Sequence, residues 1–134
     1  MLLGQSHSPD SDLRFIQDAD PILRDPRYIR VDGRPLLIVY RPSLLPDCAS
    51  TVARWREYCR EAGIGEIMLA MVQFDVEDPR PLGFDVALEF PPHKLARNLP
   101  SINATLESLN PEFRGYVVDY QAVVTRSVNW PVPE

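Results

Sequence analysis

No apolar run in this sequence approaches the length of a membrane-spanning helix. The longest nearly unbroken ones, Leu36 to Tyr40 and Ile67 to Val72, fall far short of the roughly twenty residues required. The opening MLLGQSHSPD has no basic region and no apolar stretch of the signal-peptide kind, which points to the cytoplasm and to no membrane insertion. Cysteine is scarce. Cys48 and Cys59 fall in one expected helix, where a rise of about 1.5 Å per residue sets them roughly 16 Å apart. A bridge needs Cα atoms within about 7 Å, so buried free thiols are expected. With only 2 histidines and no Cys or His cluster, no structural zinc site is expected. Basic residues are also short: 14 Lys and Arg stand against 19 Asp and Glu, for a net charge of -5. No basic stripe with interleaved aromatics occurs, so nucleic acid is excluded as a general partner.

What is present reads as one domain. A chain of 134 residues, 45% of them hydrophobic, is long enough to bury a single core. Proline is abundant, at 14 residues, roughly twice the usual frequency. The prolines punctuate the chain instead of forming a tract, which predicts many transitions between elements and loops. No internal repeat or linker divides the chain, so residues 1–134 are taken as one domain with residues 1–9 frayed.

Leu13, Ile16, Ala19 and Leu23 recur at helical spacing from about Asp10 to Arg24, with a kink or restart expected at Pro21. Asp32-Gly33 reads as a tight turn between two extended flanks. Leu36 to Tyr40 is apolar without alternation, as in a strand buried on both faces of a parallel sheet. Asp47 is a good N-cap for the clearest helix, about 47–62, whose apolar stripe is Cys48, Val52, Trp55, Cys59 and Ala62. A second strand over 67–73 and a third over 84–89 follow. The βαβ order makes all three parallel, with a helical turn near Val76 to Leu82 filling the last crossover. A short helix over Ser101 to Leu109, an extended Tyr116 to Val118 and a final helix from Tyr120 to about Val128 complete the reading.

Ligands of parallel α/β folds bind at the carboxyl ends of the strands. That rule selects Tyr40 and Arg41 after the first strand, Gln73, Phe74 and Asp75 after the second, and Glu89 and Phe90 with His93 after the third. Tyr, Arg, Gln, Glu and His beside aromatic rings suit a polyhydroxylated ligand, because hydroxyls need paired donors and acceptors while sugar C–H faces stack on rings. Simpler roles stand beside this one. Arg41 pairing with Glu89 or Asp75 would close the top of the sheet. His93 would be a surface loop residue, Phe74 and Phe90 rim packing, and Asp85 a carboxylate at a strand start. No phosphate loop, dinucleotide fingerprint or nucleophile elbow occurs, so no cofactor is called for.

The strings DPRYIRVDGRPLLIVYRPSLLPD (Asp25 to Asp47), RWREYCREAGIGEIML (Arg54 to Leu69) and GFDVALEFPPH (Gly83 to His93) closely resemble WbsX-type proteins of polysaccharide biosynthesis. Those proteins, of the lipopolysaccharide O-antigen kind, are described as glycosyltransferases and are similar to the endo-mannosidases of glycoside hydrolase family 99. The resemblance covers roughly residues 10–126. It implies an α/β fold of parallel βαβ units, a partial (β/α)8 TIM barrel of about three strands with flanking helices, since a whole barrel needs about 250 residues.

The family's N-x-W-N-E-W-x-E-G segment, which looks like the source of the two catalytic carboxylates, has no match here; Glu112 and Glu134 lie in other contexts. The resemblance therefore implies a sugar-binding face of Tyr40, Arg41, Gln73, Glu89 and His93, with a saccharide or glycan as partner and no assigned catalytic residue. This chain alone is expected to be inactive. A non-catalytic carbohydrate-binding remnant remains an alternative. So does an assembly module that forms a homo-oligomer through exposed sheet edges.

Overall fold

The computed structural model describes residues 7–74, 78–107 and 109–130, with backbone alone at 91–93. The chain divides into two compact units, Met1–Glu89 and Phe90–Glu134. The first unit begins with helix α1, Pro9–Arg24. Ser8 caps it through a reciprocal pair: the Ser8 hydroxyl accepts the Ser11 N–H at 3.1 Å, and the Ser11 hydroxyl accepts the Ser8 N–H at 2.8 Å. Of the stretch expected to fray, residues 1–6 lie outside the described ones, whereas Ser8 and Pro9 start this helix. α1 runs through Pro21 without the expected break. Pro21 and Gln17, whose carbonyl loses its donor there, are both exposed, so water can supply the missing bond.

The Asp32-Gly33 turn forms as expected, with φ of 51° and 75° at its two residues. Positive φ at both matches the twist of a two-residue hairpin, and glycine adopts it without cost. The turn joins β1, Arg30–Val31, to β2, Arg34–Val39, in antiparallel register. β1 thus adds a fourth strand to the three expected. Pro35, expected to precede the strand, lies inside it opposite Arg30.

Helix α2, Cys48–Glu61, follows with Asp47 as its cap, the carboxylate accepting the Ser50 N–H at 3.1 Å. Val52, Trp55 and Cys59 are buried on its inner face. β3, Met68–Gln73, and β4, Val86–Glu89, complete a sheet of order β1-β2-β3-β4 in which β2, β3 and β4 run parallel. The expected helical turn before the last strand is a 3-10 turn at Arg80–Leu82; residues 75–77 lie outside the described ones.

The core lies between the two helices and one face of the sheet. Ile16 and Leu23 of α1 and Val52, Trp55 and Cys59 of α2 meet Leu69 and Met71 of β3, with Leu37, Val39 and Ala87 packed against them. Phe84 and Asp85, expected within the third strand, precede β4. Asp85 replaces an ordinary ladder contact: its N–H donates to Leu69 O at 2.9 Å and its carboxylate accepts the Leu69 N–H at 2.8 Å. Arg56 of α2 and Arg34 of β2 pair with the same carboxylate at 2.9 and 3.3 Å.

The second unit holds α3, Pro91–Ala96, and α4, Tyr120–Val128, the latter capped by Asp119 as expected. His93 therefore belongs to a helix and not to a loop. The helix expected over Ser101 to Leu109 is only a 3-10 turn at Asn103–Thr105. Asn103 explains the difference: its side chain accepts the Val117 N–H at 2.7 Å and donates to Gly115 O at 3.0 Å. Such bonds offer the backbone an alternative to helix. Ser101 and Val118 form one isolated antiparallel bridge.

Two stability predictions follow from the first unit. Burial raises the Asp85 pKa, but the Leu69 N–H and the Arg56 and Arg34 guanidiniums outweigh it and hold the carboxyl below its ordinary value. A depressed folded pKa stabilises the fold above the unfolded value of about 3.9 and loses that contribution as the pH falls through the folded value. Asp85→Asn should cost about 2 kcal/mol in urea unfolding at pH 7. The gap from the parent should shrink as the pH drops below about 4. Gly83 sits at φ 82° with an added Cβ placed 3.0 Å from Val52 Cγ1. Gly83→Ala should lower the urea midpoint by the equivalent of about 1–2 kcal/mol without changing the slope.

Candidate functional site

The parallel strands bring their carboxyl ends together in the first unit. Val39 pairs with Met71, and Gln73 pairs with Glu89. Tyr40 and Arg41 follow β2 directly, and Phe74 follows β3. The Tyr40 and Phe74 rings meet edge to face, centroids 4.9 Å apart at 81°. This is the favoured arrangement of two ring quadrupoles. The Arg41 guanidinium carbon lies 5.4 Å from the Phe74 ring centroid, within cation–π range. Arg41 forms no ion pair among the described residues, so the expected pairing with Glu89 does not occur. The alternative partner, Asp75, lies outside the described residues.

Strand alternation sorts these side chains between two faces. Leu37, Val39, Met71 and Ala87 face the helices. Gln73 and Glu89, each two residues beyond a member of that set, share the helix-side parity. Tyr40 continues the opposite row after Ile38, and Phe74 continues it after Val72. That opposite face is open in β2 and β4, where Ile38 is 48% exposed, Val86 40% and Leu88 38%. Thus Tyr40, Arg41 and Phe74 form one group, while Gln73 and Glu89 form a register pair beside it. His93 lies in the second unit, and its side chain is outside the described ones.

Sequence reasoning left Phe74 either beside a ligand or in core or rim packing; it is the ring on which Tyr40 and Arg41 converge. The signal was available in the parity of the two strands, which sets position 74 in the same row as 72 and position 40 in the same row as 38.

The last residues of the three parallel strands are Val39, Gln73 and Glu89. They offer a single carboxylate, whereas glycosidic chemistry generally uses two, about 5 to 9.5 Å apart. The cysteines offer no alternative nucleophile. Burial pushes the Cys59 thiol up to about 11 and raises Cys48 as well, so neither is a thiolate at neutral pH. No group of three potential metal ligands occurs among the described residues.

A second polar cluster escaped the sequence reading. Asp12, 5% exposed, accepts from the Thr51 hydroxyl at 2.7 Å and from Arg54 at 2.6 Å, and its carbonyl accepts the Trp55 indole N–H at 2.9 Å. A cleft of about 160 Å³ opens beside it, lined by Ser8, Asp12, Asp47, Thr51 and Arg54. Asp12 and Arg54 pair through one guanidinium nitrogen and clamp α1 to α2, while Arg54 Nε is buried without a hydrogen-bond partner among the described residues. It was invisible because Asp12 and Thr51 are polar residues on faces that periodicity reads from apolar ones.

Comparison with known proteins places this geometry in a family. The model of the family described as Glycosyltransferase WbsX matches residues 1–134. Two curated relatives, both named Uncharacterized protein WxcX, come from strains of Xanthomonas campestris pv. campestris, one of them strain B100. Each is 51% identical over 122 residues, covering 90% of this chain and 17% of the relative. The chain therefore spans about a sixth of the length of the curated relatives it matches. No solved structure matches. Among the described residues, no helix is long and apolar enough to cross a membrane. With its mixed α/β unit and a family match over its whole length, the chain belongs to the WbsX glycosyltransferase family.

Proposed function

We propose that this chain contributes part of the sugar-binding face of a cytoplasmic carbohydrate-active enzyme of polysaccharide biosynthesis. The observation that carries the reading is the Tyr40–Phe74–Arg41 group at the carboxyl ends of parallel strands. Rings stack on sugar C–H faces and a guanidinium donates to hydroxyls. Gln73 and Glu89, side by side in register, add donor and acceptor capacity, and His93 of the second unit is a further candidate. In this reading β2, β3 and β4 are consecutive strands of a (β/α)8 barrel, whose ligands lie at the strand ends. Among the described residues the strand ends supply one carboxylate, and the paired-carboxylate segment of the family has no match in the sequence, so in this reading the chain binds saccharide and does not by itself break or form glycosidic bonds.

The test is a titration of the 134-residue chain with mannose oligosaccharides, followed by chemical shifts. Binding in the millimolar range is expected, with shifts concentrated at Tyr40, Arg41 and Phe74. Phe74→Ala should weaken it about tenfold. An unchanged affinity in that variant, or no binding by the parent, would overturn the reading. In parallel, mannosides and nucleotide sugars should show no turnover. Turnover that vanishes in Glu89→Gln would make Glu89 catalytic.

One observation favours a second reading, an assembly role. Ile38, Val86 and Leu88 leave an apolar sheet face partly open, and β4 ends the sheet. Such surfaces mark contacts with other chains. On this reading the chain sediments as a dimer or larger species at high concentration, and Val86→Lys shifts it toward monomer. A parent that stays monomeric at every concentration would rule this reading out.

A further inference from the structure

We propose that Arg41, laid on the Phe74 ring, recognises a negatively charged group carried by the saccharide, a carboxylate or a phosphate. The inference rests on the sugar-binding reading and narrows it to acidic sugars.

The other arginines around the sheet have polar partners in the protein, Arg30 donating to the Gly33 and Leu23 carbonyls. Arg34 and Arg56 pair with Asp85, Arg54 with Asp12, and Arg60 with Glu66. Arg41 is exposed, and among the described residues its guanidinium meets an aromatic face in place of a carboxylate. In a chain of net charge -5, a strand-end cation that pairs with no carboxylate among the described residues does not follow from general basicity. Stacking also leaves the edges of the guanidinium plane free to donate, and its fork fits carboxylate and phosphate oxygens two at a time.

The group is held in place from both sides. Tyr40 packs edge-on against the same ring. The backbone carbonyl of Arg41 accepts the Leu44 N–H at 3.1 Å, opening the 3-10 turn Pro42–Leu44. A guanidinium oriented before binding loses less freedom when it engages an anion. Tyr40, 51% exposed, and Arg41 converge on the same ring, so a sugar lying against Tyr40 has the guanidinium for a neighbour. Neutral hydroxyls use such a donor weakly; an anionic oxygen uses it with charge assistance.

The experiment titrates the 134-residue chain with three probes: mannobiose, digalacturonate and mannose 1-phosphate. At least one anionic probe should bind tenfold or more tighter than mannobiose at low salt, and the preferred one identifies carboxylate or phosphate as the source. Raising the salt should narrow the gap. Arg41→Gln should erase it, bringing the anionic probes down to the affinity that the same variant shows for mannobiose. Arg41→Lys, which keeps the charge but loses the planar fork, should retain only part of it. Each variant is checked by its amide spectrum for an unchanged fold. Equal binding of all three probes, or a gap that survives Arg41→Gln, overturns this inference and leaves the saccharide reading standing. Failure of all three probes to bind overturns both.

Discussion

The carboxylate of Asp85 is where four elements of the first unit meet. It accepts the Leu69 N–H of β3, pairs with Arg34 of β2 and Arg56 of α2, and sits immediately before β4. Arg56 extends the same junction by donating to Ile67 O at 3.1 Å and Gly83 O at 2.8 Å. One anion thus sets the relative positions of three parallel strands and the helix that covers them, all at the amino ends of β3 and β4. A sheet with one fixed end has little choice of register, because a one-residue slip would turn every core side chain to the wrong face.

That constraint is what gives the opposite end its geometry. With Leu36 beside Met68 and Ala70 beside Val86, β3 and β4 finish level at Gln73 and Glu89, and β2 ends at Val39 beside Met71, two residues short of the end of β3. Tyr40 and Phe74 then emerge in one row and their rings touch; Gln73 and Glu89 emerge in the other. Structural charge and exposed charge are separated along the strand direction. The ion pairs of Asp85 lie at the amino ends, where they hold the fold, while Arg41 stands at the carboxyl end on an aromatic surface.

The two ends also answer differently to change. Removal of a partner from the Asp85 network leaves other charges half-buried and unsatisfied. Removal of the Arg41 guanidinium leaves only a ring exposed to water. The first bears on folding and the second leaves the fold's ion pairs intact, and the WbsX family match over residues 1–134 takes in both ends.

Local rules made much of this legible. The Asp32-Gly33 hairpin, the α2 stripe of Val52, Trp55 and Cys59 with its Asp47 cap, and the Asp119-capped α4 all follow from short-range chemistry, and each stands where that chemistry places it. The limits lay where distant groups compete with local preference. Ser101 to Leu109 has helical spacing, yet Asn103 binds Gly115 and Val117 instead. Asp85 belongs by pattern to a strand, yet it bonds sideways to Leu69. The rule that parallel α/β folds bind ligands at strand carboxyl ends pointed to Tyr40, Arg41, Gln73, Phe74 and Glu89. Which of those residues touch was decided by the parallel register of β2 and β3. Sequence by itself determined α1, α2, α4, the hairpin turn and the order of the three parallel strands, because caps, turns and apolar period act within a few residues. Only the tertiary structure decided that Arg41 lies on Phe74, because that contact joins two strands whose alignment depends on an ion network at their far end.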